Sequence, residues 1–97
     1  MPYVIIWSPR AVQTYIDTLE YLKKNWTARE VNNFIARTDI ALSYICKNPL
    51  LYPNSKKGDT RKCVLTKQVS LFYQLQGEDI ELLYFWDTRQ NPGKLNL

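Results

Sequence analysis

Hydrophobic positions along this chain change their period twice. From Tyr3 to Trp7 they run unbroken, a β-branched and aromatic stretch of strand composition that stops at Ser8-Pro9. Val12, Tyr15, Leu19, Leu22 and Trp26 then recur at spacings of three and four, which predicts an amphipathic helix with Asp17, Glu20, Lys23 and Lys24 off the apolar stripe. Ser8 suits the N-cap and Pro9 the first helical position, and Trp7 with Val12 forms a hydrophobic staple across that start. A second stripe, Val31, Phe34, Ile35, Thr38, Leu42 and Ile45, follows a capping box at Thr27-Ala28-Arg29-Glu30, with Trp26 and Val31 as its staple, and stops at Asn48-Pro49. Two helices with almost no loop between them fold back as a hairpin.

From Arg61 the period falls to two. Arg61 to Leu65 reads as a strand, Thr66-Lys67-Gln68 as a turn, and Val69 to Leu75 and Ile80 to Trp86 as the arms of a β-hairpin closed by Gln76-Gly77-Glu78-Asp79. Regular alternation puts Val69, Leu71, Tyr73 and Leu75 on one face with Ile80, Leu82, Tyr84 and Trp86, and leaves Phe72, Leu83 and Phe85 on the other. Asn48 to Thr60, with Pro49, Pro53, Asn54 and Gly58, is the connecting loop. The order is β-α-α-β-β-β, an α+β fold in which a helical hairpin covers one face of a small, mainly antiparallel four-stranded sheet.

Ninety-seven residues with 45% hydrophobic and 23% charged content suit one domain, 1–97, of radius of gyration about 13 Å. No apolar run approaches a membrane span or a signal-peptide core, so a cytoplasmic protein is expected. Without histidine, and with Cys46 and Cys63 isolated from each other, neither a metal site nor a cofactor is implied, and both thiols read as small buried hydrophobes. The net charge of +4 is unevenly spread: Lys47, Lys56, Lys57, Arg61, Lys62 and Lys67 meet only Asp59 between positions 47 and 67. Such a patch attracts an anionic partner, nucleic acid or an acidic protein segment, unless it is only a solvated loop.

The order of elements and several residues together resemble the RelE/ParE toxin superfamily of bacterial type II toxin–antitoxin systems, the plasmid-stabilisation proteins. The resemblance rests on Trp7-Ser8-Pro9-Arg10-Ala11 after a short strand, the Asn48-Pro49-Leu50-Leu51-Tyr52-Pro53 loop, Arg61 leading a strand, Leu71-Phe72-Tyr73, the Gly77 turn, and Trp86-Asp87-Thr88-Arg89-Gln90-Asn91-Pro92. It implies a compact toxin silenced by a small antitoxin whose C-terminal segment wraps it. Its target would be DNA gyrase in a ParE-like protein, or messenger RNA cut in the ribosome in a RelE-like one.

Cutting RNA by 2′-hydroxyl attack requires a group to take that proton, one to protonate the leaving oxygen, and cations to offset phosphorane charge. Arg61 and Arg89 match the arginines of such sites and are expected near one another. Asp87 stands about where many relatives carry a histidine, but two residues from Arg89 it reads rather as an ion-pair partner. Lys56, Lys57, Lys62 and Lys67 are the binding cations, and Phe72 and Phe85, if exposed, an apolar patch for a bound antitoxin segment. With cations but no convincing acid–base pair, the residues favour a ParE-like toxin over a RelE-like endoribonuclease or a non-toxic binding module that kept the fold.

Overall fold

The structure, a computed structural model, describes residues 3–54 and 59–90. Its elements are β1 (Val4–Trp7), α1 (Pro9–Asn25), α2 (Ala28–Lys47), β2 (Arg61–Val64), β3 (Val69–Gln76) and β4 (Asp79–Asp87), the order the pattern implies. The sheet runs β1-β4-β3-β2; β1 is parallel to β4 and the other pairs are antiparallel. The radius of gyration is 13.1 Å. No helix among the described residues is long and apolar enough to cross a membrane.

The helix starts are where the capping residues put them. Ser8 Oγ accepts from Ala11 N–H at 3.0 Å and Thr27 Oγ1 from Glu30 N–H at 3.4 Å. Ala11, Thr18 and Leu22 of α1 are buried with Phe34, Thr38, Ala41 and Ile45 of α2. Thr18 and Thr38 enter that apolar layer because each hydroxyl donates to a carbonyl one turn back, at 2.8 Å in both cases. Val12 and Trp26, placed on the α1 stripe by spacing, are instead 43% and 48% exposed. The α1 core face is centred on Ala11, Tyr15 and Leu22, and the ends of the expected stripe fall off it.

The β3–β4 hairpin forms with a tighter turn than expected. Gln76 pairs with Asp79, leaving Gly77 and Glu78 as a two-residue loop in which Gly77 takes φ 62°. A left-handed residue at the first central position matches the strand twist, and glycine holds it without a Cβ penalty.

Halfway along this hairpin the register slips. Tyr73 pairs with Leu82 but Phe72 with Tyr84, so Leu83 is an extra residue without a cross-strand partner. This β-bulge inverts the alternation in the second half of β4. Ile80 and Leu82 face the core as expected, but after the bulge it is Phe85 and Asp87 that do, while Tyr84 and Trp86 turn to the open face. Phe85 is 3% exposed and lies among Trp7 (5.7 Å between centroids), Tyr15 (5.2 Å) and Phe34 (6.0 Å), joining β1, both helices and β4. Tyr84 stacks on Phe72 at 4.9 Å, and the Arg10 guanidinium sits 4.0 Å from the Tyr84 ring centroid. Phe72 is fully buried there.

β1 ends opposite Leu82, and β4 continues beyond it. The start of α1 takes over the uncovered edge. Ser8 N–H donates to the Leu82 carbonyl at 3.1 Å, Ser8 Oγ to the Leu83 carbonyl at 3.0 Å, and Phe85 N–H donates to Thr14 Oγ1 at 2.9 Å. The bulged residue is thereby tied to the α1 N-cap.

Candidate functional site

The strand end that follows the bulge gathers the most chemistry. Asp87, on the core face, is 2% exposed, and both of its carboxylate oxygens are occupied. Oδ1 accepts from Arg89 N–H at 2.9 Å and from Arg89 Nε at 3.2 Å, and Oδ2 from Arg89 Nη2 at 3.3 Å. This is the ion pair expected from the spacing, in bidentate form. Arg89 also faces Glu30 at 3.8 Å, and its guanidinium lies 5.2 Å from the Trp26 ring centroid. The Glu30 side chain, which a full capping box would turn back onto α2, thus points toward Arg89. A cleft of about 230 Å³ opens beside this cluster, lined by Glu30, Asn33, Thr66, Lys67, Gln68 and Arg89 with Leu22 and Phe34 at its floor.

Arg61 is elsewhere and differently engaged. It begins β2 opposite Tyr73, whereas Arg89 follows Asp87, which lies opposite Val69. Four residues of β3, roughly 13 Å of strand, separate the two levels, so the expected proximity of the arginines is not found. The reason is topological: the antiparallel turn that connects β2 to β3 puts the start of β2 at the far end of the sheet from the end of β4. Arg61 Nη1 donates to the Tyr52 carbonyl at 2.6 Å and contacts that of Leu50 at 3.5 Å, holding the loop after α2. Tyr73 Oη donates to the Pro49 carbonyl at 2.7 Å and fixes the same loop from below.

These tyrosines are poor proton carriers. Burial pushes Tyr73 up to about 12 despite the opposing charge of Arg61. Burial and a hydrogen bond to Cys63 push Tyr52 to about 12, while burial also raises the Cys63 thiol. Cys46 and Cys63 are free, the first half-buried and the second buried, in keeping with a packing role.

The remaining binding candidates disperse. Lys62 is exposed on the open face of β2, Lys67 stands at the rim of the Arg89 cleft, and Lys56 and Lys57 lie outside the described residues. Phe72 and Phe85, expected as an exposed patch for a bound segment, are 0% and 3% exposed, because the bulge moves Phe85 to the core and the Tyr84 ring stacks on Phe72. Among described residues the exposed large apolar side chains are others, including Ile40, Tyr44, Leu50, Leu51 and Trp26. The spacing that placed Trp26 in a stripe could not show that the α1–α2 turn swings it outward.

Neither a protein-family model nor a curated protein matches the sequence. Solved structures do. A chain of the chromosomal ParDE TA system from P. aeruginosa superposes with a TM-score of 0.73 at 10% identity, over 88% of this chain and 95% of that one. A chain of the E. coli DinJ-YafQ toxin-antitoxin complex gives 0.65 at 11% identity, over 96% and 100%. The YoeB dimer from Staphylococcus aureus gives 0.60 at 15% identity, over 87% and 94%. The fold is therefore the one these chains of the ParDE system, the DinJ-YafQ complex and the YoeB dimer share.

Proposed function

We propose that this chain is the toxin of a type II toxin–antitoxin pair, a single cytoplasmic domain neutralised by a small protein encoded beside it, and that it acts in the ParE manner, by binding DNA gyrase rather than cutting RNA. The observation that carries the second half is the state of Asp87. In-line cleavage at neutral pH requires a base open to the 2′-hydroxyl, and Asp87 is buried with both oxygens accepting from Arg89. Arg61 is occupied by loop carbonyls, and the tyrosines beside it keep their protons to about pH 12. What is left beside Arg89 is the Glu30 carboxylate, which faces the same guanidinium at 3.8 Å, and with the cations and exposed apolar side chains elsewhere the surface suits recognition of a protein. The likeness to a ParDE chain agrees with this reading, and the likeness to chains of toxin–antitoxin complexes supports the antitoxin partner.

The test sets the purified protein against both targets. With translating ribosomes, messenger RNA stays intact; with gyrase, ATP and closed circular DNA, double-strand breaks accumulate and cease when the neighbouring gene product is added. Specific cuts in the ribosomal A site, lost in Arg89→Ala, would overturn the binding mechanism in favour of a RelE-like endoribonuclease. Folded protein that neither arrests growth on induction nor affects gyrase would instead be a binding module without toxic activity.

A further inference from the structure

β1 closes one side of the sheet, and among the described residues no strand lies on its outer margin. Its bonds to β4 fix which main-chain groups that margin offers. Val4 N–H donates to the Glu78 carbonyl at 2.9 Å and Ser8 N–H to that of Leu82 at 3.1 Å. In this parallel ladder Val4, Ile6 and Ser8 turn their amides and carbonyls toward β4, so Tyr3, Ile5 and Trp7 turn theirs outward. The Tyr3 carbonyl accepts from Cys46 Sγ at 3.5 Å, as an outward group can. Among the described residues the outward groups of Ile5 and Trp7 have no partner.

Sheet edges are commonly blunted by a lysine, a proline or a bulge. Tyr3-Val4-Ile5-Ile6-Trp7 contains no charge and no proline, and its open-face side chains Val4 and Ile6 are 54% and 43% exposed. The segment is also its own complement. Laid antiparallel on a second copy with the two-fold axis through Ile5, Ile5 meets Ile5 and Tyr3 meets Trp7 as hydrogen-bonded pairs, while Val4 meets Ile6 as the close pair, with Cα atoms about 4.5 Å apart. Each outward amide then finds a carbonyl, and each exposed apolar side chain finds a β-branched one. Like charges stay apart: Asp79 and Glu81, beside Val4 and Ile6 on β4, lie three strand spacings, roughly 14 Å, from those of the other copy, beyond the screening length of about 8 Å. We propose that two copies of this chain pair through β1, antiparallel about Ile5, joining their four-stranded sheets into one. The contact is isologous and uses the whole β1 margin of both copies, so it closes at two. It is independent of the toxin reading.

The experiment traps the pair by disulfide formation in the full chain with Cys46→Ser, which keeps a donor for the Tyr3 carbonyl. Val4→Cys and Ile6→Cys proteins are oxidised separately and as an equimolar mixture. The mixture gives a mixed disulfide dimer, identified by its mass; either protein alone gives several-fold less, because like positions are diagonal across the axis, with Cα atoms about 7–8 Å apart and too distant to bridge. Sedimentation equilibrium of the parent up to about 1 mM shows the mass rising from 11.5 kDa toward twice that value. Ile6→Lys raises the dimer dissociation constant about tenfold or more, while Ile16→Lys, at an exposed site on α1, leaves it unchanged. Both sites are exposed, so both variants should fold, and circular dichroism checks this. In the parent the Ile5 and Trp7 amides exchange with solvent more slowly as concentration rises. The proposal is overturned if the chain stays at 11.5 kDa throughout, if the mixture cross-links no better than the single proteins, or if the dimer is lost in Ile16→Lys but kept in Ile6→Lys. Slowed exchange of the Ile5 and Trp7 amides only on addition of the neighbouring gene product would give the margin to a strand of that partner and equally overturn the second copy.

Discussion

Replacing Phe85 with alanine tests the register slip on which the rest of the sheet depends. With the bulge at Leu83, Phe85 is the ring on which Trp7, Tyr15 and Phe34 converge, and the substitution empties the middle of that cluster. Emptying a buried phenylalanine site costs about 3–5 kcal/mol, and lost aromatic pairs account for part of the upper end. A domain of this size has a total stability of about 5–15 kcal/mol. At about 4–8 °C per kcal/mol the midpoint of thermal unfolding falls by roughly 12–40 °C. Had alternation continued unbroken, Phe85 would lie on the other face, outside the Trp7, Tyr15 and Phe34 cluster, and its removal would leave that cluster intact. Urea unfolding followed by circular dichroism, with the exposed Val64→Ala as reference, separates the two. A Phe85→Ala midpoint close to that of Val64→Ala would refute the bulged register and the aromatic junction with it.

Three further outcomes are expected. Asp87→Asn keeps the shape but leaves the Arg89 guanidinium with Glu30 alone at 3.8 Å, and should cost about 2–3 kcal/mol in urea unfolding at pH 7; a cost below about 0.5 kcal/mol would mean the pair is energetically idle. Tyr73→Phe loses the 2.7 Å bond to Pro49 and should cost about 1–2 kcal/mol at neutral pH. Because folding raises Tyr52 and Tyr73 from 10.0 to about 12, their contribution is full below pH 10 and is lost as pH climbs toward 12. The fall in unfolding midpoint over that interval should accordingly be smaller in Tyr73→Phe, and an identical fall in both proteins would contradict the assignment. Ser8→Ala removes the α1 cap and the donor to the Leu83 carbonyl, with an expected loss of about 1–2 kcal/mol by thermal unfolding; no measurable change would show that water replaces both bonds.

What could be read from the sequence was local. Ser8, Pro9 and Thr27 announce helix starts through their own side chains, Gly77 announces its turn through the φ it can adopt, and Asp87 finds Arg89 two residues away. The bulge left no such mark. Leu82-Leu83-Tyr84-Phe85-Trp86 is apolar throughout, so shifting the alternation by one residue changes which side chains are buried without putting a polar one in the core until Asp87. Asp87 is the exception that could have disclosed it: a carboxylate whose partner is two residues away can enter the core face, and the slip sends it there. Arg61 was misread for another reason. Its acceptors are the main-chain carbonyls of Leu50 and Tyr52, which any residue could present, so nothing in the side-chain pattern signals the contact. The outward turn of Trp26 likewise depends on how α2 leaves α1, a tertiary angle that spacing along one helix does not encode.

The hydroxyl contacts between α1 and β4 bear on how this protein avoids open-ended assembly with itself. A strand that outruns its neighbour offers unpaired main-chain groups to any other extended chain. Here the stretch past Leu82 is guarded, since a foreign strand laid against it would have to dislodge Ser8 and Thr14 and with them the first turns of α1. On the opposite margin of the sheet Lys62 N–H donates to the Pro53 carbonyl at 3.1 Å and Asn54 bridges to Arg61, so the loop already covers the start of β2. Among the described residues this leaves the outer margin of β1, four residues long with Val4 and Ile6 exposed beside it, and the short Cys63–Val64 end of β2, where Val64 is exposed. The margins left open to an added strand are thereby reduced to segments of two to four residues, short enough to disfavour edge-to-edge growth.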